Sequence, residues 1–134
     1  MVDNEEILMG KICPYCQNNS QLIDSKEIYG ISFGPIYICK PCDAYVGTHK
    51  QSDIALGRLA NAELRSLKKE AHRIFDQIWR RKMVQQGHSK HKARSAAYIW
   101  LSQQLNTPPQ YTHIGMSNIP QCKKVIQICS KYAS

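Results

Sequence analysis

An α+β fold is predicted for this 134-residue chain by three observations. Two Cys-x-x-Cys pairs lie in its first third, short apolar runs with β character fall between them, and three stretches of helical periodicity follow. The expected architecture is an N-terminal four-cysteine module with short β-hairpins, packed on a C-terminal three-helix part. We divide it into an acidic segment at 1–10, the cysteine module at 11–50 and a helical part at 51–134 that makes one unit with the module.

The elements follow in order. Leu22-Ile23, Glu27-Ile28-Tyr29 and Ile36-Tyr37-Ile38 are β-like, with Gly30, Gly34 and Pro35 as turn residues. They are too short for an independent sheet, so something else must tie them together. From about residue 58 the period changes. Asn61 is the expected N-cap and Glu63 an acid favoured in the first turn. Leu64, Leu67, Ala71, Ile74 and Ile78 then recur at helical spacing, Phe75 and Trp79 widen the stripe, and Gly87 stops the helix. A second helix spans 90–105, its apolar face carried by Ala93, Ala97, Trp100, Leu101 and Leu105, and Asn106-Thr-Pro-Pro ends it. The third opens on the capping-box pair Asn118 and Gln121, with Pro120 in its first turn. Its buried face is expected to carry Cys122, Val125, Ile126, Cys129 and Tyr132.

No run of 18 apolar residues exists, which excludes a spanning helix. The opening Met1-Val-Asp-Asn-Glu-Glu is acidic and lacks the basic start of a secretory signal, so a cytoplasmic location is expected. In that compartment the six cysteines point to a metal site before a disulfide framework. Cys13, Cys16, Cys39 and Cys42 form C-x2-C-x22-C-x2-C, close to the four-cysteine zinc spacing. Two residues between cysteines let the backbone fold into a knuckle that aims both thiolates at one ion. Four thiolates close a tetrahedral shell and leave no position for water, so the one Zn2+ expected is structural. Cys122 and Cys129, seven apart on one helix face, are expected as buried thiols. His49, His113 and Cys122 are the candidates for a second site, although no spacing compels one.

The formal charge of +8 is local. Residues 61–100 carry ten bases against Glu63, Glu70 and Asp76, a net of +7, and residues 101–134 add three lysines and no acid. Such a segment suits polyanions, because each neutralised phosphate releases counterions. Arg65, Lys69, Arg73, Arg80, Arg81, Lys82, Lys90, Lys92 and Arg94 are therefore the expected nucleic-acid surface, with Tyr15, Lys40 and Tyr45 as secondary contacts. The competing expectation is an interaction module that binds a host or partner protein. A metal-dependent nuclease is the weakest reading: Asp24, Lys26, Glu27, His49, His72, Asp76 and His113 supply acids, bases and cations, but the order of Asp24, Lys26 and Glu27 does not fit a two-carboxylate-plus-lysine core. No phosphate loop, catalytic triad or dinucleotide fingerprint occurs, and neither a membrane nor a small-molecule substrate is expected as partner.

Cys13-Pro-Tyr-Cys16, the string Leu22 to Gly30, and Ile38-Cys-Lys-Pro-Cys-Asp-Ala-Tyr-Val-Gly-Thr-His-Lys50 resemble a bacterial and phage family of zinc-finger-containing domains of unknown function. The resemblance continues through Leu56 to Arg65, Lys69-Glu-Ala-His72, Phe75-Asp76, Trp79, Ala97 to Leu101 and His113-Ile-Gly-Met116, so it covers nearly the whole chain. It implies a four-cysteine zinc module fused to a helical remainder, of a type often encoded by phages or prophages. The chain departs from the family at Thr112, where a cysteine is usual, which weakens any ligand role at that point.

Overall fold

Where the chain must bend tightly around the cysteines, residues able to adopt left-handed backbone stand at the bends. In the computed structural model, which describes residues 5–109 and 112–132, Gln17 and Asp43 follow the two cysteine pairs with φ of 67° and 51°. The chain divides into two units, Met1–Arg65 and Ser66–Ser134. Residues 1–4 of the acidic N-terminal segment lie outside the described residues.

The first unit opens on a single helical turn, α1 (Glu5–Leu8), which buries Ile7. A three-stranded antiparallel sheet follows, in the order β1 (Gln21–Asp24), β2 (Pro35–Cys39) and β3 (Ala44–Gly47). Its register pairs Leu22 with Tyr37 and Ile36 with Gly47. Residues 55–60 extend it through isolated bridges of Tyr45 with Ala60 and Thr48 with Ala55. Gly10 shows how closely these segments approach: at φ +77° a Cβ there would stand 2.8 Å from the Ala55 Cβ.

One expected β run is helical. Lys26–Tyr29 forms a one-turn helix, α2, because the Asp24 carboxylate accepts from the Lys26 amide at 2.9 Å and Gly30 closes the turn in the left-handed region. The buried Ser25 hydroxyl accepts from the Phe33 amide at 2.7 Å and holds the returning chain. These local side-chain bonds to backbone outcompete a ladder that has no partner strand here. The third strand, Ala44–Gly47, is not among the β-like runs of the sequence.

The three long helices occur as expected. α3 (Ala62–Gln86) is capped by Asn61, whose Oδ1 accepts from the Leu64 amide at 2.9 Å, and Gly87 ends it at φ +66°. α4 (Lys90–Leu105) starts on Ser89, which accepts from the Lys92 amide, and stops at left-handed Asn106. A 3-10 turn, Ile114–Met116, leads to α5 (Ile119–Ser130), whose capping box joins Asn118 and Gln121 in both directions, at 2.9 and 2.8 Å.

Phe75, Trp79, Ala93, Ala97, Tyr98, Leu101, Ile114, Val125 and Cys129 form one buried cluster, in which the Phe75 and Tyr98 rings lie 4.5 Å apart. Each fully buried large side chain contributes on the order of 1.5–3 kcal/mol. Tyr132 falls beyond the end of α5 and is exposed, so it does not continue the α5 stripe as expected. No helix among the described residues is long and apolar enough to cross a membrane.

Candidate metal centre

Each knuckle is built by its own backbone. In the first, the Cys13 amide donates to the Asn18 carbonyl at 2.8 Å and the Gln17 amide to the Cys13 carbonyl at 2.9 Å, turning the chain between the two cysteines. In the second, Lys40–Cys42 is a 3-10 turn with Pro41 at its start, closed by the Asp43 amide donating to the Lys40 carbonyl at 3.1 Å. β2 carries Cys39 back beside the first pair. The 22 residues between the knuckles thus form β1, α2 and β2.

The four Sγ atoms of Cys13, Cys16, Cys39 and Cys42 all lie within 4.8 Å of one another, and Cys16 and Cys39 approach to 3.6 Å. A tetrahedral zinc with sulfur at about 2.3 Å requires sulfur–sulfur separations near 3.8 Å. The separation of Cys16 from Cys39 is far longer than the bond of about 2.05 Å in a disulfide, and none of the six cysteines forms a disulfide among the described residues. The donor set therefore fits one structural Zn2+ held by these four residues. Four protein thiolates complete the shell, so its chemistry is to tie the two knuckles together.

Electrostatics within the cluster agree with a cation's role. The Cys16 thiol is lowered to about 7, chiefly by the Asn18 backbone amide pointing at its sulfur. Cys42 is pushed up to about 12, first by desolvation and then by the neighbouring sulfurs, and burial also raises Cys39. Four thiols sharing one small volume disfavour one another's ionisation, whereas a dication at their centre favours all four thiolates. The cluster sits over Ala44, Val46, Ala55 and Leu59, small and medium side chains that leave room for sulfur at the centre of the unit.

Among the described residues the four cysteines are the group of three or more histidine, cysteine or acidic side chains near enough to hold an ion, and the candidates His49, His113 and Cys122 are not in it. Cys122 and Cys129 are fully buried, and burial raises the Cys129 thiol to about 11, which leaves it an inert packing group.

The basic residues fall into two sets. Arg65 is partly buried and held in the first unit: it donates to the Asp43 and Ala60 carbonyls at 2.7 and 2.8 Å, pairs with the Asp43 carboxylate at 3.1 Å and lies 4.2 Å above the Tyr45 ring. The Tyr15 hydroxyl accepts from the Asn61 amide at 3.1 Å, so both expected tyrosines are engaged. Lys40 is exposed.

In the second unit Lys69, Arg73, Arg80, Arg81, Lys90, Lys92 and Arg94 are exposed and Lys82 is half-buried. Arg73 pairs with Glu70, Arg80 lies 4.0 Å from the Asp76 carboxylate and 5.2 Å from the Trp79 ring, and Arg81 donates to the Tyr132 carbonyl at 3.0 Å. Sequence reasoning picked Lys90 and Arg94 by charge but missed that His91, Tyr98 and Pro109 share a cleft with them. The signal was present as the i, i+4 row Lys90–Arg94–Tyr98.

His72, on α3, donates from Nδ1 to the Lys68 carbonyl at 2.9 Å, and burial lowers its pKa from the ordinary 6.5. It is a structural group in its own helix.

The zinc-finger-containing domain family matches residues 9–132, nearly the whole chain. The protein belongs to that family. No curated protein and no solved structure matches it significantly.

Proposed function

We propose that this zinc-finger-family protein is a small, non-enzymatic, cytoplasmic nucleic-acid-binding protein of the kind phages and prophages carry, with zinc as its structural tie and the basic helices α3 and α4 as its contact surface. The observation that carries this reading is the charge of the second unit. Residues 66–134 hold twelve bases and two acids, a net of +10, whereas residues 1–65 hold six bases and eight acids, a net of −2. Seven of the nine basic residues singled out from sequence are exposed in the second unit, where counterion release on phosphate contact supplies affinity without reading bases.

The test is binding of single-stranded and duplex DNA and RNA by the zinc-loaded chain across a salt series. The logarithm of affinity is expected to fall linearly with the logarithm of salt, by roughly 0.7–0.9 per phosphate contact. Replacing Arg80, Arg81 and Lys82 together by Gln is expected to reduce that slope by about two to three contacts. Absence of binding, or affinity indifferent to salt, overturns the reading.

A second reading, binding of a partner protein, rests on the first unit. Ile28, Tyr29, Ile31 and Phe33 expose apolar surface between β1 and β2, with Phe33 74% accessible. A stoichiometric protein retained after nuclease treatment, and lost in an Ile31→Ser, Phe33→Ser double variant, favours this reading over the first.

A further inference from the structure

Two neighbouring rows of α4 point into one cleft of about 620 Å³, a volume in the range of small-ligand sites. Lys90, Arg94 and Tyr98 make one row, and His91, Ser95 and Ile99 the other. Pro109 and His113 form the facing wall. The fold holds that wall in place: the Thr112 hydroxyl donates to the Pro108 carbonyl at 2.8 Å and meets the Thr107 hydroxyl at 3.0 Å, while Ile114 is fully buried.

Tyr98 organises the cleft. It is 7% accessible, packed on Phe75, and burial raises its hydroxyl above the usual value of 10, so it stays neutral. The Arg94 guanidinium lies 5.4 Å from its ring centroid and the exposed His113 ring 4.8 Å from it. One buried aromatic thus places a cation and a planar ring at the same cavity. No acidic residue lines the cleft among the described residues; Glu70 pairs with Arg73, and Asp76, whose charge is felt at Tyr98, accepts from the Trp79 indole at 2.7 Å.

Two cations in a cleft lined by no acidic side chain favour an anion, and an exposed imidazole that shares the cleft with Ile99 and Pro109 favours a flat, largely apolar body joined to it. We infer that this cleft binds a nucleotide, its phosphate on Lys90 and Arg94 and its base against His113, Ile99 and Pro109. That chemistry is met by a free mononucleotide and by the 5′-phosphorylated end of a strand. Only the strand form rests on the nucleic-acid binding proposed above.

Calorimetry on the zinc-loaded full chain with adenosine 5′-monophosphate, adenosine and inorganic phosphate tests the cleft. The monophosphate is expected to bind at least about tenfold more tightly than either part, since a charge-assisted contact and a stacking contact are each lost alone. Arg94→Ala and His113→Ala are each expected to weaken it by about tenfold, and Lys124→Ala on α5 to leave it unchanged. Shifts of the His113 and Arg94 resonances in the unaltered protein supply a readout that needs no variant.

Matched single strands with a 5′-phosphate or a 5′-hydroxyl separate the two sources. Preference for the phosphate, lost in Arg94→Ala, assigns the strand end. Equal binding of the two strands beside tight monophosphate binding assigns the free nucleotide. If strands bind with a salt slope but the monophosphate neither binds nor shifts His113, the cleft inference falls and the general surface stands. If the monophosphate binds and no strand does, the surface falls and the cleft stands.

Discussion

The two units hold similar numbers of residues but are stabilised by different means. The first buries no aromatic side chain among its described residues; its centre is Cys13 and Cys39 with Ala44, Val46, Ala55 and Leu59, while Tyr15, Tyr29 and Phe33 face solvent. The second buries Phe75, Trp79 and Tyr98 in one cluster spanning α3, α4 and the segments that follow. A sheet of four- and five-residue strands cannot offset its chain entropy with so little apolar burial, whereas helices with wide stripes can. The cysteine cluster stands where an aromatic core would be. The charge follows the same division, −2 against +10, so the unit that holds the cysteine cluster is not the one that carries the positive charge.

The contrast is broken most severely at the metal. Cys39→Ser, or removal of zinc by a strong chelator, is expected to unfold the first unit, because metal binding contributes on the order of 10–16 kcal/mol of apparent free energy in small zinc modules. Amide hydrogen exchange is expected to lose protection across β1–β3 and to keep it in α4 and α5. Equal loss in both units would show that the second depends on the metal as well.

The converse substitution is Phe75→Ala, at a fully buried ring in the second unit. It is expected to cost about 3–5 kcal/mol. Thermal unfolding is expected to shift down while the zinc content of the folded protein stays at one per chain. Asn118→Ala removes one side of the α5 capping box and is expected to cost about 1 kcal/mol, read as a lower denaturation midpoint at unchanged slope.

The smallest effect is a pH dependence within the second unit. Burial lowers the folded pKa of His72 below the ordinary 6.5, so between those values the unfolded chain binds more protons than the folded one. Its contribution is full above 6.5 and is lost as pH falls from there through the folded value. His72→Gln is expected to flatten that part of the stability profile. An unchanged profile would locate the acid sensitivity in the thiolates, whose zinc also leaves as protons bind.

Most of the second unit was legible in the chain itself. Asn61 and Gly87, Asn106, and Asn118 with Gln121 bound their helices through contacts within four residues, and local contacts leave local signatures; the Ser89 cap of α4 was not read from the chain. The four metal ligands were legible for a similar reason, since a knuckle is a local turn. Less of the first unit could be read. Glu27-Ile28-Tyr29 has strand composition but turns helical on the Asp24 cap, and Ala44–Gly47 becomes a strand only because β2 lies beside it. The burial of Arg65 against Asp43 and Tyr45, and the way Tyr98 gathers Arg94 and His113 around one cleft, join residues far apart in the chain or across a loop.

By itself, then, the sequence determined the zinc ligands, the three helices with most of their caps and the concentration of positive charge in the C-terminal half. Tertiary structure decided which basic side chains are committed to the fold, that residues 55–60 join the sheet, and where a cation meets an aromatic ring. The physical reason is range. Helix caps and cysteine knuckles are fixed by neighbours in sequence, whereas strand partners, buried guanidinium contacts and clefts exist only once distant segments have packed.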